Sequence, residues 1–223
     1  MNSQRTKKGM RCLFILIAFL LVVIAFLLLR HQRTSTRRLP DRYHAQIPQF
    51  HSSVDKDGDG IDDQTDILEG TLAYISTEPK YKSRYYSTGY PDDGYGVCTD
   101  VVAFAMRDAG YDLMELVEED IKAHPDEYNI ETPDKNIDFR RMQNLKVWFK
   151  NNAVSLTTDL SDIEAWQGGD IVIFNNHIGV ISNRRNKDGV PYVFHHNDPF
   201  QNSYEEDILE KRDDLVAHYR ITE

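Results

Sequence analysis

The apolar run from Cys12 to Leu29, closed by Arg11 on one side and Arg30 on the other, leaves the first part of this chain one option. A segment without polar side chains must satisfy its backbone internally in lipid, which means a single continuous helix. Its length lies near the lower end of the roughly 17–25 residues that cross a bilayer. No Asp or Glu occurs before Asp41. The run is longer and more strongly apolar than the core of an ordinary cleaved signal, and Leu28-Leu29-Arg30-His31-Gln32-Arg33 offers a signal peptidase no pair of small residues. Cys12 stands at the start of the run, whereas a lipoprotein cysteine would come after it. Together these features predict an uncleaved signal anchor over 12–29, single-pass, in the cell membrane. Arg5, Lys7, Lys8 and Arg11 balance Arg30, Arg33, Arg37 and Arg38 across the anchor, so side-chain charge does not orient it. Short N-terminal anchors ordinarily translocate the domain C-terminal to them, which predicts a cytoplasmic 1–11 and an extracytoplasmic remainder.

That remainder is strongly acidic. All 36 acidic residues lie beyond residue 40, against 18 of the 26 basic ones, a net charge of −18 with neutral histidines. Such a field repels polyanions and draws cations, which excludes nucleic acid as a partner. The length suits one domain after the anchor and hardly two. Cys98 is the only cysteine beyond the anchor, so no disulfide forms within that domain.

The stretch 30–50 is basic and polar, with Ser, Thr and Pro and no apolar period, and reads as a juxtamembrane linker. Helical periodicity appears over Ile67–Ser76, from Cys98 to a terminating Gly110, over Asp112–Ala123 and over Phe139–Asn151. After Trp166 the period shortens: Ile171–Phe174, His177–Ser182, Tyr192–His196 and Val216–Ile221 read as strands, with Asn175-Asn176 and Asn186–Gly189 as turns. Helices first and an antiparallel sheet second make the class α+β.

Between linker and first helix, within 51–70, Asp55-Lys56-Asp57-Gly58-Asp59-Gly60-Ile61-Asp62-Asp63-Gln64-Thr65-Asp66 fits the calcium-loop template. Asp55, Asp57 and Asp59 supply oxygens at positions one, three and five. Gly60 takes the sharp turn, Ile61 offers its carbonyl, and Asp63 and Asp66 complete the set. Asp66 stands where Glu is usual, so its reach is shorter. With no helix before Asp55, this is one EF-hand-like loop, expected to hold structural Ca²⁺.

A thiol attacks as thiolate, which the free N–H groups and dipole of a helix N-terminus favour. Gly94-Tyr95-Gly96-Val97-Cys98 puts Cys98 at such a point. A lone cysteine is equally read as a small buried hydrophobe, and a lone histidine as structural. The joint pattern favours chemistry: His177 opens one strand as candidate base, and His195 ends the next, where it could fix the tautomer of His177. Asn197 is the alternative third member, while alternation turns His196 to the other face. Thiol–imidazole chemistry of this kind needs no cofactor.

Three separated motifs carry a resemblance. Gly96-Val97-Cys98-Thr99-Asp100, Trp166-Gln167-Gly168-Gly169-Asp170-Ile171-Val172 and His177-Ile178-Gly179-Val180 resemble the NlpC-type, papain-like cell-wall peptidase superfamily. Pro133-Asp134-Lys135-Asn136-Ile137-Asp138-Phe139-Arg140-Arg141 and Ala217-His218-Tyr219-Arg220 are similar to the bacterial domain-of-unknown-function 1287 family, over roughly residues 70–221. The resemblance implies a papain-like domain over 71–223, its Cys helix packed on a small antiparallel sheet, with Cys98 and His177 as the catalytic pair. By analogy the substrate is cell-wall peptide or glycan material and the reaction hydrolysis of an amide bond. Thr99-Asp100 replaces the Ser common after the cysteine, which puts Asp100 among candidate substrate contacts. Tyr95, beside the thiol, and Arg140 or Arg141, able to grip a carboxylate, are the others. Two rival readings share the residues: a non-catalytic, calcium-clipped module binding wall or lipid ligands, and an acyltransferase using the same Cys/His pair.

Overall fold

The computed structural model describes residues 2–222. Helix α1 (Asn2–Arg30) carries the apolar run, and none of its Leu13–Arg30 window is buried against protein. A helix apolar all round and uncovered is long and apolar enough to cross a membrane, and a signal sequence shares those properties.

The rest is an α+β arrangement. Helix α2 (Asp63–Ser76) starts four residues before its apolar period, because Asp62 caps it by accepting from the Thr65 N–H. After the short strands β1 (Lys80–Tyr81) and β2 (Tyr95–Gly96), which pair in parallel, come α3 (Cys98–Asp108) and α4 (Leu113–Ala123). The helix expected over Phe139–Asn151 begins three residues later, as α6 (Met142–Asn152), and a separate single turn, α5 (Lys135–Asp138), precedes it. Phe139, fully buried, turns into the core beside the Tyr90 ring, and the chain spends the intervening residues on that turn.

Strands β3 (Val154–Leu156), β4 (Ile171–Phe174), β5 (Ile178–Arg185), β6 (Pro191–Phe194), β7 (Glu205–Glu206) and β8 (Leu215–Arg220) form one sheet in the order β3-β8-β4-β5-β6-β7, with every pair antiparallel. β3 and β7 are too short for a hydrophobic period to announce. Alternation splits the sheet's side chains between two cores. Ile171, Ile173, Ile178, Val180 and Phe194 meet Ile67, Val101, Val102 and Met106 from α2 and α3. Val172, Phe174, Ile181 and Val193 meet Trp166 and Leu209 on the other face. Burial on both faces is why Ile171–Phe174 is continuously apolar instead of alternating. Each such side chain contributes roughly 1.5–3 kcal/mol.

Two expected boundaries change. The 30–50 segment is no free linker. It lies along the β7 edge: Ser35 N–H donates to Asn202 O at 2.9 Å, and Ser35 O accepts from Tyr204 N–H at 3.0 Å. Arg38 binds Glu205, Ser182 and Asn183. An extended strap held by backbone and charged groups needs no apolar period, so the sequence hides it. The boundary at residue 70 cuts through α2, whose Ile67 and Leu68 belong to the core.

Asp170, fully buried at the head of β4, joins sheet to helices. It accepts from Arg220 Nε and Nη2 at 2.8 and 2.9 Å, His218 Nε2 at 2.9 Å, Gln64 Nε2 at 2.9 Å and the Gln167 N–H at 2.8 Å. Trp166 stacks on His218 with ring centres 3.9 Å apart. Replacing Asp170 by Ala strands Arg220 without its counter-charge and leaves His218 Nε2 without its partner. Chemical denaturation of Asp170→Ala is expected to show a loss of about 3–5 kcal/mol.

Candidate active site

Cys98 is the first residue of α3 and is partly exposed. Two glycines deliver it. Gly94 takes φ +73°, and at Gly96 an added Cβ would run into the Tyr74 hydroxyl. The helix start is then locked from inside. Asp100 Oδ2 accepts the Val97 N–H at 2.8 Å, and the same carboxylate takes Arg140 Nε at 2.6 Å and Nη2 at 2.9 Å. Arg140 Nη1 donates to Arg84 O at 2.7 Å, and the guanidinium lies over the Tyr86 ring.

This corrects the reading of Asp100 and Arg140 as substrate contacts. Asp100 is fully buried and Arg140 nearly so, and their charges are spent on each other. Arg141 pairs with Asp138 within its own turn. Tyr95, in β2, stays partly exposed under the cations of Lys82 and Arg84, lining a cavity with Gln32, Lys80 and Lys82. It remains available to a ligand.

Against α3 lies the start of β5. The backbone N–H groups of Ile178, Thr99 and Cys98 itself lie near enough to the Cys98 sulfur to favour its anion. Burial nevertheless pushes the thiol up to about 11; the Ile178 N–H draws it down, and the Asp100 charge raises it further. Desolvation of the anion therefore outweighs the helix terminus, and the thiol rests protonated, contrary to the thiolate expected from its position.

His177 directly precedes β5, fixed by a tight turn in which Phe174 N–H donates to His177 O at 2.8 Å. Its Nε2 lies 3.0 Å from His195 Nδ1, with the rings edge-to-face. This contact joins the predicted base to the predicted third residue. Asn197 does not reach it: its side chain pairs with Asp198 in its own loop. Burial pushes His177 down to about 3, with His195 and Arg212 adding to the effect, so the ring is neutral. His196 is buried between the Tyr81 and Tyr204 rings.

Two residues escaped the sequence reading. Glu206 in β7 places Oε2 3.4 Å from His195 Nε2, which has no hydrogen-bond partner among the described residues. A carboxylate there favours the proton on Nε2, leaving His195 Nδ1 to accept from His177 Nε2–H. His177 Nδ1 then keeps its lone pair. Tyr81 stands close enough to Cys98 for the sulfur's charge to raise its phenol pKa, in addition to the larger effect of burial. Only the pairing of β1 and β7 with distant strands brings them in.

The acidic loop gathers the ligand atoms of Asp55, Asp57 and Asp59 within 4.8 Å of one another. Ile61 lies on the exposed turn next to them. Asp63 departs from the template: it is fully buried, with Oδ1 taking the Lys56 N–H at 2.7 Å and Oδ2 the Tyr111 hydroxyl at 2.5 Å. Asp66 lies behind the cluster, buried, its Oδ2 unpartnered among the described residues.

A thiol that rests protonated has a pH signature. Below about pH 10 the thiolate fraction rises about tenfold per pH unit, so alkylation should do the same. Iodoacetamide labelling of Cys98, followed at that peptide by mass spectrometry from pH 6 to 10, is expected to climb steadily. A plateau across neutral pH would instead reveal a resting ion pair.

No solved structure matches the chain. Among curated proteins, it is 36% identical over 167 residues to the Escherichia coli (strain K12) "Uncharacterized protein YijF", an alignment covering 69% of this chain and 80% of that one. The family described as "Domain of unknown function (DUF1287)" matches residues 68–221, a span that contains Cys98, His177, His195 and Glu206. The chain belongs to the DUF1287 family.

Proposed function

We propose that this protein is a membrane-anchored, extracytoplasmic thiol hydrolase of the papain-like, NlpC type, acting on amide or peptide bonds of cell-wall material. The observation that carries the reading is the 3.0 Å contact between His177 Nε2 and His195 Nδ1, at the entry to a strand whose first N–H lies near enough to the Cys98 sulfur to favour its anion. A nucleophile at a helix start, a base on the facing strand and a third group orienting that base is the arrangement acyl transfer requires. The order of these elements is that of the NlpC-type peptidases: a Cys helix, a strand entered through Trp166 to Asp170, then the base histidine opening the next strand.

Because thiol and imidazole rest neutral, proton transfer accompanies attack. As sulfur bonds to the substrate carbonyl carbon, His177 Nδ1 takes the S–H proton, and the His195–Glu206 pair supports the imidazolium. The carbonyl oxygen gains the electron pair near the Cys98 N–H. Collapse breaks the C–N bond, and His177 returns the proton to the leaving amine. Water, deprotonated by the same ring, then cleaves the thioester and restores the thiol.

The strap supports a site close to the lipid surface. Just past Arg30, the Gln32 side chain pairs with both backbone groups of Tyr81, at 2.6 Å to its N–H and 2.8 Å to its carbonyl. The Gln32 N–H donates to Pro199 O at 2.6 Å. A cleft so tied to the end of the anchor suits substrate presented near the membrane, on the side to which a short N-terminal anchor delivers its domain.

The raised thiol pKa favours a second reading: a binding module that keeps the fold and uses the cleft to hold wall or lipid ligands. Incubation of the full-length protein in detergent with purified muropeptides separates the two. Under the hydrolase reading Cys98→Ala abolishes cleavage and His177→Ala lowers it about 10²–10⁴-fold, with circular dichroism unchanged. New amine and carboxylate ends mark hydrolysis, whereas a new amide would mark acyl transfer. Turnover that survives Cys98→Ala removes the nucleophile, and muropeptide binding without any turnover supports the module.

A further inference from the structure

The acidic loop plays no part in that chemistry, and its geometry departs informatively from the calcium-loop template. Asp55, Asp57 and Asp59 are all exposed, with one carboxylate oxygen from each inside a 4.8 Å span. The backbone holds them there: Gly58 and Gly60 adopt φ +79° and +97°, and both donate their N–H groups to Asp55. An exposed acidic turn of this kind is common without any ion. Asp66 makes the difference. It is only 6% exposed, it sits within electrostatic range of Asp59, Asp57 and Asp55, and its Oδ2 has no partner among the described residues. Lys56, the one basic residue inside the loop, does not neutralise it, since its ammonium projects over the Tyr111 ring. A buried carboxylate with an unpartnered oxygen, within electrostatic range of three clustered ones, calls for a cation.

We propose that Asp55, Asp57, Asp59, the Ile61 carbonyl and Asp66 bind one calcium ion, with Asp63 excluded from the coordination sphere. The donors are all hard oxygens. Three exposed side chains can adjust their reach while Asp66 is fixed at the first turn of α2, which suits the 2.3–2.6 Å bonds and flexible geometry of calcium better than the rigid octahedron of magnesium. Asp63, at the ninth template position, works as a strut. Through the Lys56 N–H and the Tyr111 hydroxyl it fixes the loop against the turn that ends α3. Gly110 in that turn leaves room for Lys56 and Asp57, whose atoms an added Cβ would approach to 3.1–3.2 Å. The ion thereby clips the strap to the α2–α3 pair that carries Cys98, and its effect is on stability.

The test uses the full-length chain in detergent, stripped with EDTA and titrated with calcium chloride in a calorimeter, alongside thermal melts. One calcium per chain is expected, at a Kd of about 10⁻⁴ to 10⁻³ M. A tenfold excess over Kd should raise the melting temperature by about 3–6 °C, with little response to equal magnesium. Asp66→Asn and Asp59→Asn should each weaken binding at least about tenfold, whereas Tyr111→Phe, which releases Asp63 from its strut, should leave the stoichiometry at one. Should Asp66→Asn fail to fold, the exposed Asp57→Asn reports the same loss. Absence of heat together with a melting temperature indifferent to calcium overturns the site, and full affinity in Asp66→Asn overturns its ligand set. An equal response to magnesium overturns the assignment to calcium. None of these readouts depends on hydrolysis.

Discussion

The Asp100–Arg140 ion pair fixes where the thiol can be. Asp100 sits in the first turn of α3, where a carboxylate satisfies a free backbone N–H and complements the dipole. Fully buried, it is tolerable only because Arg140 meets it with two nitrogens. Arg140 in turn reaches the Arg84 carbonyl and the face of Tyr86, so one guanidinium ties the Cys98 helix to the turn before it and to the segment after α5. Pairs of this sort add little net stability, since desolvation offsets most of the attraction. Their value is in position: the arrangement of these three segments leaves both buried charges paired.

That position has an electrostatic consequence. The negative charge that caps α3 also stands close to the sulfur and raises its pKa. Three backbone N–H groups pull the other way, but burial outweighs them. His177, buried at the entry to β5, loses its proton for the same physical reason. Low dielectric disfavours both members of a thiolate–imidazolium pair, so the neutral pair is the resting state. Under the hydrolase reading proposed above, charge separation would belong to the moment of attack, when the substrate carbonyl accepts the electron pair and His177 accepts the proton. The relay of Glu206, His195 and His177 matters most there, because it stabilises the imidazolium only once it forms.

The parts of this arrangement that were legible in the sequence share a local signature. Apolar periods announced β4, β5, β6 and β8, and glycines before Cys98 announced a helix start. The alternation that separates His195 from His196 identified the partner of His177. The parts that were hidden depend on partners far along the chain. Asp100 and Arg140 are 40 residues apart, and each alone looks like a surface charge suited to a substrate. Asp63 matches a ligand position by spacing, and only the packing of Tyr111 against it shows that its oxygens are taken. The strap from residue 30 to 50 has a linker's composition because backbone groups and arginines hold it, not an apolar face.

Strap and site meet on a strand of two residues. β7 pairs with β6 through Glu205 opposite Phe194 and Glu206 opposite Val193. Strand alternation sends the two carboxylates to opposite faces. Glu205 takes Arg38 and the Leu39 N–H of the strap, together with the Ser182 hydroxyl of β5. Glu206 stands over His195. The segment that follows α1 therefore helps to hold the strand that places Glu206 over His195. A two-residue strand at a sheet edge has few bonds of its own, and here the strap over residues 30–50 supplies others.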